Sequence, residues 1–289
     1  MNYKLTHLTR YSYVEPVNNY HGLVCLKPRN TDHQQCTQFE LVVEPTPTEY
    51  FQRTDYFGNT LHYFYIHTTH QELTVIAQSE VHNQAIALEL PPVLMSYQEA
   101  KQLITQDSSL QIELLEYLLP SPFITWDAEV QTFARKCFSA ERPLYECVKA
   151  LCHKIFKEFK FVSNFTSINT PIKTVLKERK GVCQDFSHLA IACLRSMGIP
   201  ARYVSGYIET LPPPGKTKLQ GSDASHAWIS AYVPEIGWCE FDPTNDLVPQ
   251  ERHIVTAYGR DYSDVAPLKG IIFSSGQHTL KVEVDVIRI

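Results

Sequence analysis

The stretch GVCQDFSHLAIACLRSMGIPARYVSGY, residues 181–207, predicts a helix in the core of the fold. After Gly181 its apolar residues recur at helical spacing, which is typical of a helix with one buried face. Gly198 and Pro200 are expected to end this helix. Cys183 therefore lies in the first helical turn, where unpaired backbone N–H groups and the helix dipole favour an anion.

This placement gives Cys183 the properties of a nucleophile. Thiolate is the reactive form of cysteine, and a helix N-terminus beside an imidazolium favours it. The N–H groups of the same turn are suited to an oxyanion, and Gln184 is a further donor candidate through its backbone N–H or its side chain. Asp185 is a candidate cap for the helix. Residues 181–185 can thus activate the sulfur and stabilise the species that it forms.

A histidine and an aspartate follow in SHAWISAYVPEIGWCEFDPTND, residues 225–246, which predicts two strands joined by a turn. If the loop contains three residues, Trp228 lies opposite Asp242, and His226 is the diagonal neighbour of Asp242 on the same face. A loop of even length would separate His226 and Asp242. In the odd register Asp242 can hold one imidazole nitrogen while the other deprotonates Cys183.

At these residues the sequence resembles the transglutaminase-like superfamily of papain-type Cys-His-Asp enzymes. GVCQDF resembles the nucleophile segment of that family, HAW its base and GWCEFDPTN its aspartate segment. The stretches TRYSYVEPV, LKPR and DYFGN are similar to the β domain that precedes this core in bacterial members, and GRDYSDVAPLKG is similar to their usual tail. The resemblance implies catalytic roles for Cys183, His226 and Asp242.

Each of these residues also has a purely structural interpretation. A cysteine in a buried helix is usually a small core residue, and an aspartate before proline often begins a turn. The catalytic interpretation is preferred because three independent placements agree in order and local context. We further expect Trp228 to shield the thiol from water, and Arg202 to pair with Asp185 or Glu240.

An α+β fold is expected, with an N-terminal antiparallel β-sandwich domain followed by a papain-like, transglutaminase-like core. The amino-terminal part contains strand-forming runs such as Phe39–Glu44 and Leu73–Val81, and a hairpin signal at Phe57–Thr60. The many tyrosines of this part are expected to pack between strands, although a peptide or glycan groove is an alternative. Prolines are expected to break its strands, at Pro16, Pro28, Pro45 and Pro47.

The rest of the chain is expected to begin with a linker at Leu88–Pro92 and to continue with helices, the clearest at Pro143–Phe159. Leu211–Ser225 is expected to be a loop, either a lid or a plain connection. Alternation predicts a final strand at Leu280–Val286 whose pairing ends or bulges near Val286. The expected divisions are a β domain at 1–87, a helical connecting region at 88–142, the catalytic core at 143–250 and an extension at 251–289.

Composition excludes several classes of function. The formal net charge of the 289 residues is -5 without a block of like charges, so neither nucleic acid nor a membrane surface is an expected partner. No apolar run has the length of a signal peptide or membrane span, and a cytoplasmic location is expected. The 8 cysteines form no CxxC pair, and His67 and His70 point to opposite faces of a predicted strand. Reduced thiols, no metal and no cofactor are therefore expected.

The expected reaction is attack of Cys183 on an amide, with His226 passing the proton to the departing amine and an acyl-thioester forming. Attack by water would make the chain a peptidase or amidase, and attack by an amine would make it a transglutaminase. Hydrolysis of a peptide or protein amide is favoured. Acyl-carrier-dependent N-acyl transfer and a noncatalytic peptide-binding module are the alternatives, and the oligomeric state is left open.

Overall fold

The first strand, β1 (Asn2–Val24), runs the length of an amino-terminal sheet domain in this computed structural model, which describes residues 1–85, 90–210, 223–273 and 276–289. Its neighbours form an antiparallel sheet in the order β2-β5-β1-β4-β3, and two strands from the far end of the chain also pair with β1. The strands around β1 are β2 (Gln34–Glu44), β3 (Glu49–Thr54), β4 (Thr60–Ile66), β5 (His70–Asn83), β12 (Leu268–Phe273) and β13 (His278–Arg288).

The sheet of this domain is curled, and its own core fills the inside of the curl. Buried apolar side chains from neighbouring strands pack together there, including Tyr20 and Phe64 with rings stacked at 5.6 Å and Leu73 and Val75 from β5. Alternate residues along these strands point inward, as expected for a sheet with one covered face. Strand packing therefore accounts for Tyr20, as the sequence predicted.

The expectation that Pro16 breaks a strand is wrong. β1 continues through Pro16, and only its register against β5 shifts, between Ser12 and Val17. Proline has no N–H to donate, so an irregular segment of the ladder is a place where a strand tolerates it. The other three prolines named above lie between strands, as predicted.

The last strand also differs from its prediction. β13 pairs with β1 without interruption from Tyr13↔His278 to Tyr3↔Arg288, so the pairing does not end near Val286. The alternation in the sequence changes there because Arg288, on the strand face of Val284 and Val286, donates to Oε2 of Glu209 at 2.6 Å. Ile287 is 50% exposed, on the opposite face. An ion pair between the exposed Arg288 and Glu209 therefore takes the place of a buried apolar residue, and the strand pairing continues.

The core domain packs helices on a four-stranded antiparallel sheet in the order β10-β9-β8-β11. Its helices are α1 (Tyr97–Gln106), α2 (Ser108–Leu114), α3 (Ala128–Arg135), α4 (Leu144–Glu158), α5 (Ile172–Glu178), α6 (Cys183–Ser196) and α7 (Tyr262–Val265). Its strands are β6 (Lys160–Phe161), β7 (Lys180–Gly181), β8 (Ala201–Ile208), β9 (Ser225–Val233), β10 (Gly237–Phe241) and β11 (His253–Gly259). Together the two domains confirm the expected α+β fold class.

Helix α6 lies at the centre of this core. It begins at Cys183, and Gly198 follows its end with a left-handed φ of +83°, as the sequence predicted. The prediction of a single buried face is too narrow, because every residue from Asp185 to Arg195 is buried. Helices α3, α4 and α5 cover one side of α6, and β8 and β9 cover the other. Cys183, the nucleophile candidate, is therefore the first residue of a helix that is packed between other helices and the sheet.

The expected divisions of the chain stay predictions, with two observations beside them. Helices α1 and α3 contribute Ile104 and Phe133 to the same core cluster as α6. The expected extension at 251–289 is divided between the two domains, since β11 joins the core sheet while β12 and β13 join the amino-terminal sheet. The structure describes residues 90–92 of the predicted linker at 88–92, and these lie in no helix or strand. The predicted loop at 211–225 lies largely outside the described residues. Within those residues no helix is both long and apolar enough to span a membrane.

Candidate active site

Strands β9 and β10 have the odd register that the sequence required. Val233 pairs with Gly237 across the three-residue loop 234–236, and the ladder continues to Ile229 opposite Phe241. The next rung places Trp228 opposite Asp242. His226 and Asp242 are thus diagonal neighbours on one face, and the prediction of their register is confirmed.

His226 and Asp242 form a buried hydrogen-bonded pair. Nε2 of His226 lies 2.7 Å from Oδ2 of Asp242, and both side chains are buried. The thiol of Cys183 lies close enough to the same ring to raise its pKa. Because Nε2 already faces the carboxylate, Nδ1 is the nitrogen left for the sulfur. The structure therefore brings Cys183, His226 and Asp242 together, in the arrangement of nucleophile, base and orienting carboxylate.

The surroundings of His226 favour its charged form. Burial alone would lower the pKa of His226, but the hydrogen bonds to Asp242 and Cys183 and the negative charges of these two groups outweigh burial and raise the pKa to about 10. The same bond, seen from the carboxylate, stabilises the ionised form of Asp242. Its pKa lies well below the ordinary value, because hydrogen bonds from His226 and His253 overcome the effect of burial.

Asp242 accepts further hydrogen bonds from residues that the sequence analysis did not single out. Nε2 of His253, on β11, lies 3.1 Å from Oδ2 of Asp242, and the side-chain amide of Asn245 donates to the same oxygen at 2.7 Å. Oδ1 accepts from the backbone N–H of Thr244 at 2.9 Å and of Asn245 at 3.1 Å. The carboxylate is thus fixed at both oxygens before any substrate binds.

Two signals in the sequence pointed to these partners. Asn245 follows Asp242 within DPTN, and an aspartate often accepts hydrogen bonds from the backbone two and three residues later. His253 opens HIVTAYG, where a histidine at the start of an otherwise largely apolar strand requires a hydrogen-bond partner. The partner itself is not readable from sequence, because β11 meets Asp242 only through the tertiary fold.

The N-terminus of α6 is held by Asp185, which confirms the predicted capping role. Its Oδ2 accepts from the backbone N–H of Val182 at 2.7 Å and from the Thr166 hydroxyl at 2.6 Å. Gly181 is required beside it, since a Cβ there would lie 2.8 Å from the Asp185 side chain. Gln184 is partly buried in the same turn, where backbone N–H groups have no partner within the helix. Its oxyanion role stays a prediction.

Trp228 contacts the imidazoles of the site. It is fully buried and stacks on His226 at a centroid distance of 5.8 Å, with the edge of His253 at 5.1 Å. Shielding of the thiol by Trp228 stays a prediction. The expected ion pair of Arg202 is wrong for the described residues, because its guanidinium stacks on Tyr258 at 3.7 Å and on Trp238 at 4.4 Å. A guanidinium on two aromatic faces gains cation–π attraction instead.

His226, Asp242 and His253 also form the donor set of a metal site, and their ligand atoms lie within 4.8 Å of one another. The separations of 2.7 and 3.1 Å from the carboxylate oxygen are those of hydrogen bonds. Tetrahedral zinc with bonds near 2.0–2.1 Å holds its ligand atoms about 3.3 Å apart. The spacing fits two N–H donors on one carboxylate better than it fits zinc, and the absence of a metal stays our prediction.

Family comparisons match the two halves of the chain separately. A model described as the transglutaminase-like superfamily matches residues 131–243, which contain Cys183, His226 and Asp242. A model described as the bacterial transglutaminase-like N-terminal region matches residues 3–82. The two matches follow the core and amino-terminal domains of the structure.

Similar proteins extend over nearly the whole chain. An uncharacterized protein of Mycobacterium tuberculosis is 39% identical over 292 residues, covering 99% of this chain and 92% of its own. A protein-glutamine gamma-glutamyltransferase of Pseudomonas aeruginosa is 38% identical over 73 residues, 25% of this chain and 11% of that enzyme. The crystal structure of a Cytophaga hutchinsonii protein proposed to be a cysteine protease has a TM-score of 0.75 at 24% identity, covering 100% of this chain and 91% of that one. At that identity the likeness concerns the fold.

Proposed function

The chain belongs to the transglutaminase-like superfamily of papain-like cysteine enzymes, and from that membership and the site geometry we propose that it hydrolyses amide bonds of peptides or proteins. One observation carries the proposal. The thiol of Cys183, at the first residue of α6, lies close enough to the imidazole of His226 to raise its pKa, and Nε2 of this imidazole is 2.7 Å from the buried carboxylate of Asp242. A buried core cysteine would not need such a partner.

In the proposed reaction the sulfur of Cys183 attacks the amide carbonyl, while its proton is held by His226. The carbonyl oxygen becomes an oxyanion near the N–H groups at the start of α6, and the backbone N–H of Gln184 is a candidate donor. The imidazolium of His226 then gives its proton to the departing amine, which leaves an acyl-thioester on Cys183. Asp242 keeps the ring oriented and stabilises its charge throughout.

The second half of the reaction distinguishes the two leading activities. Water activated by His226 releases the acid, whereas a primary amine in the same place forms a new amide. The match to a protein-glutamine gamma-glutamyltransferase spans 25% of this chain and supports amine transfer as the second candidate. Both activities require Cys183, His226 and Asp242, so the triad does not separate them.

Two further predictions belong with this function. The 8 cysteines are all free thiols, and 6 of them are buried, which is compatible with the predicted cytoplasmic location. Acyl transfer from a carrier needs the same triad, and turnover of acyl-coenzyme substrates by the purified protein would favour it over hydrolysis.

The first experiment measures the alkylation rate of every cysteine by mass spectrometry after brief exposure to iodoacetamide from acid to mildly alkaline pH. Selective modification of Cys183 below neutral pH is expected in the wild type, because an imidazolium partner favours the thiolate. His226→Ala should remove this selectivity. Cys36, the other cysteine that is not fully buried, is the internal control for mere accessibility.

Amide and ester substrates are then compared with and without an added primary amine. Release of the acid alone supports hydrolysis, and incorporation of the amine supports transfer. Cys183→Ala should abolish either product. A thiol at Cys183 that reacts no faster than Cys36, with no effect of His226→Ala, would contradict covalent catalysis and favour a noncatalytic peptide-binding module.

A further inference from the structure

The carboxylate of Asp242 is shared between two imidazoles, of which the proposed mechanism uses one. Nε2 of His253 lies 3.1 Å from the oxygen that His226 contacts, and the ring of His253 is buried beside Trp228, with the two ring planes nearly perpendicular. Nδ1 of His253 is buried and has no hydrogen-bond partner among the described residues. A neutral ring with its proton on Nε2 fits these contacts, because a proton on Nδ1 would have no acceptor.

His253 is carried by a strand whose outer edge is held by the other domain. β11 is the last strand of the core sheet, with β8 on one side and, among the described residues, no strand on the other. Unpaired backbone groups on a buried edge are costly, and the amino-terminal domain supplies their partners. Three buried side-chain amides contact the backbone of residues 251–258, those of Gln34, Asn59 and Asn83.

Two of these amides form the hydrogen bonds that a neighbouring strand would form with β11. The Gln34 amide donates to the carbonyl of Val255 at 2.8 Å and accepts from its N–H at 2.8 Å. The Asn59 amide contacts Tyr258 in the same way, at 2.7 and 2.9 Å. Each amide therefore satisfies both backbone groups of one residue of β11, as a neighbouring strand would.

The third amide acts at the histidine itself. Nδ2 of Asn83, which is fully buried at the end of β5, donates to the carbonyl of His253 at 2.7 Å and to that of Glu251 at 3.0 Å. These bonds fix the backbone from which the imidazole reaches Asp242. A continuous set of contacts thus runs from Asn83 in the amino-terminal domain through His253 to Asp242.

We propose that His253 is a positioning residue of the catalytic site, and that the amino-terminal domain sets its position through Asn83. The inference rests on the proposed role of Cys183. His253 does not contact the substrate in this scheme. It holds Oδ2 of Asp242 at the point where the carboxylate meets His226, and a buried carboxylate that loses this donor turns towards other partners. The amino-terminal domain then contributes to the geometry of the catalytic site through its contacts with the core domain.

The test uses the full chain and the alkylation rate of Cys183 at pH 6. His253→Leu removes the donor, and His253→Gln replaces it, because a glutamine amide nitrogen reaches about as far as Nε2. We expect His253→Leu to lower the rate constant about tenfold, as for the loss of a hydrogen bond to a charged group, and His253→Gln to recover most of it. If His253 only filled space, His253→Gln would not react faster than His253→Leu.

The route through Asp242 is tested by repeating the substitution in an Asp242→Asn background. There His253→Leu should change the rate less than twofold, because the charge that it positions is already absent. Equal effects in the two backgrounds would overturn the proposed route. A wild-type rate for His253→Leu, or a His253→Gln variant as slow as His253→Leu, would overturn the proposed role.

The part played by the amino-terminal domain is tested with Asn83→Leu. Its control is Val75→Ala, which creates a cavity in the core of the same domain and does not touch β11. At a temperature where both variants are folded by circular dichroism, Asn83→Leu should lower the alkylation rate about fivefold and Val75→Ala should not. Equal rates would refute the role of Asn83. If wild-type Cys183 itself shows no enhanced reactivity, the proposed function fails first, so the two failures are distinguishable.

Discussion

The indole N–H of Trp228 donates to Oε2 of Glu240 at 2.8 Å, and this bond repeats the diagonal geometry of His226 and Asp242 two residues further along both strands. Glu240 also accepts from the hydroxyl of Tyr258 on β11, at 3.0 Å. The carboxylate therefore joins the outer strands of the core sheet, behind the two imidazoles. Because Trp228 stacks on His226, an interaction at Glu240 bears on the position of the base.

Glu240→Ala should lower the free energy of unfolding by about 2 kcal/mol, since it leaves the N–H of Trp228 and the hydroxyl of Tyr258 without their acceptor. Glu240→Gln keeps an acceptor and should lose less than half of that amount. Urea unfolding followed by tryptophan fluorescence measures both variants. Equal losses would mean that the negative charge, and not the acceptor atoms, is what this position requires.

His226 is expected to titrate far above an ordinary histidine. Its pKa is raised to about 10, so the ring should stay protonated at pH 8. The folded state then binds this proton more tightly than the unfolded state, in which the pKa is about 6.5. The stability from the charged ring is therefore fully present below about pH 6.5 and is lost as the pH rises through about 10.

The measurement is an NMR titration of ring-labelled histidine, in which the His226 signal is the one absent from His226→Gln. A midpoint near that of a free histidine would contradict the effect of Asp242 and Cys183. Asp242→Asn is the matched control, and it should bring the midpoint down because the largest favourable contact of the ring is weakened.

Asp185 should show linkage of the same sign as His226, at more acid pH. Burial raises its pKa, although Thr166 and the N–H of Val182 oppose this effect, so the ionised carboxylate is less favourable in the folded state. That contribution is favourable at acid pH and is lost as the pH rises through the folded pKa. Asp185→Asn should match or exceed the wild-type stability at pH 7, and its advantage should shrink as the pH is lowered. Asp185→Ala should lose about 1 kcal/mol at pH 7, as for loss of a helix cap, and more at acid pH, where the wild type is stabilised by protonation of Asp185.

Gly206 should tolerate no side chain, because a Cβ there would lie 2.1 Å from the carbonyl oxygen of Ile254 and 2.6 Å from Trp228. Gly206→Ala must move β11 or the indole, and we expect a loss of about 3 kcal/mol, at the upper end for an overpacked core, together with slower alkylation of Cys183. Gly237→Ala is the control, since no atom of the described residues lies within 4 Å of the added Cβ and a φ of +92° is what opposes the substitution. That variant should lose about 1 kcal/mol and keep the reactivity of Cys183.

The catalytic strands and helix could be predicted because their rules are local. Cys183 follows from helical periodicity and the stop at Gly198, and the His226–Asp242 relationship follows from loop length and the two-residue period of strands. The same rules failed where a distant residue decides the outcome. Arg288 occupies an apolar position of the alternation because it pairs with Glu209, and β1 passes Pro16 because neighbouring strands hold both of its halves.

His253 shows the limit most clearly. Its position in an apolar strand indicates that it needs a hydrogen-bond partner, but that partner is Asp242, which directly follows β10. The amides that hold the backbone of β11 come from residues 34, 59 and 83. Single-sequence patterns do not encode which loop of one domain meets which edge of another. The expected triad was therefore within reach of the sequence, while the contacts that hold its carboxylate required the tertiary structure.

The pairing of β1 with β13 has a consequence for the order in which the molecule is made. One edge of β1 pairs with β5, but the other edge at residues 3–13 pairs with residues 278–288, so this edge stays open on the ribosome until residues 278–288 have been synthesised. Until then a long exposed strand edge is available for wrong partners. A nascent chain stopped after β11 would already contain Cys183, His226, Asp242 and His253. It would nevertheless lack β13, the strand that completes the domain supporting them. The reactivity of Cys183 would therefore appear only once β13 has been synthesised, and not when Cys183 itself is synthesised.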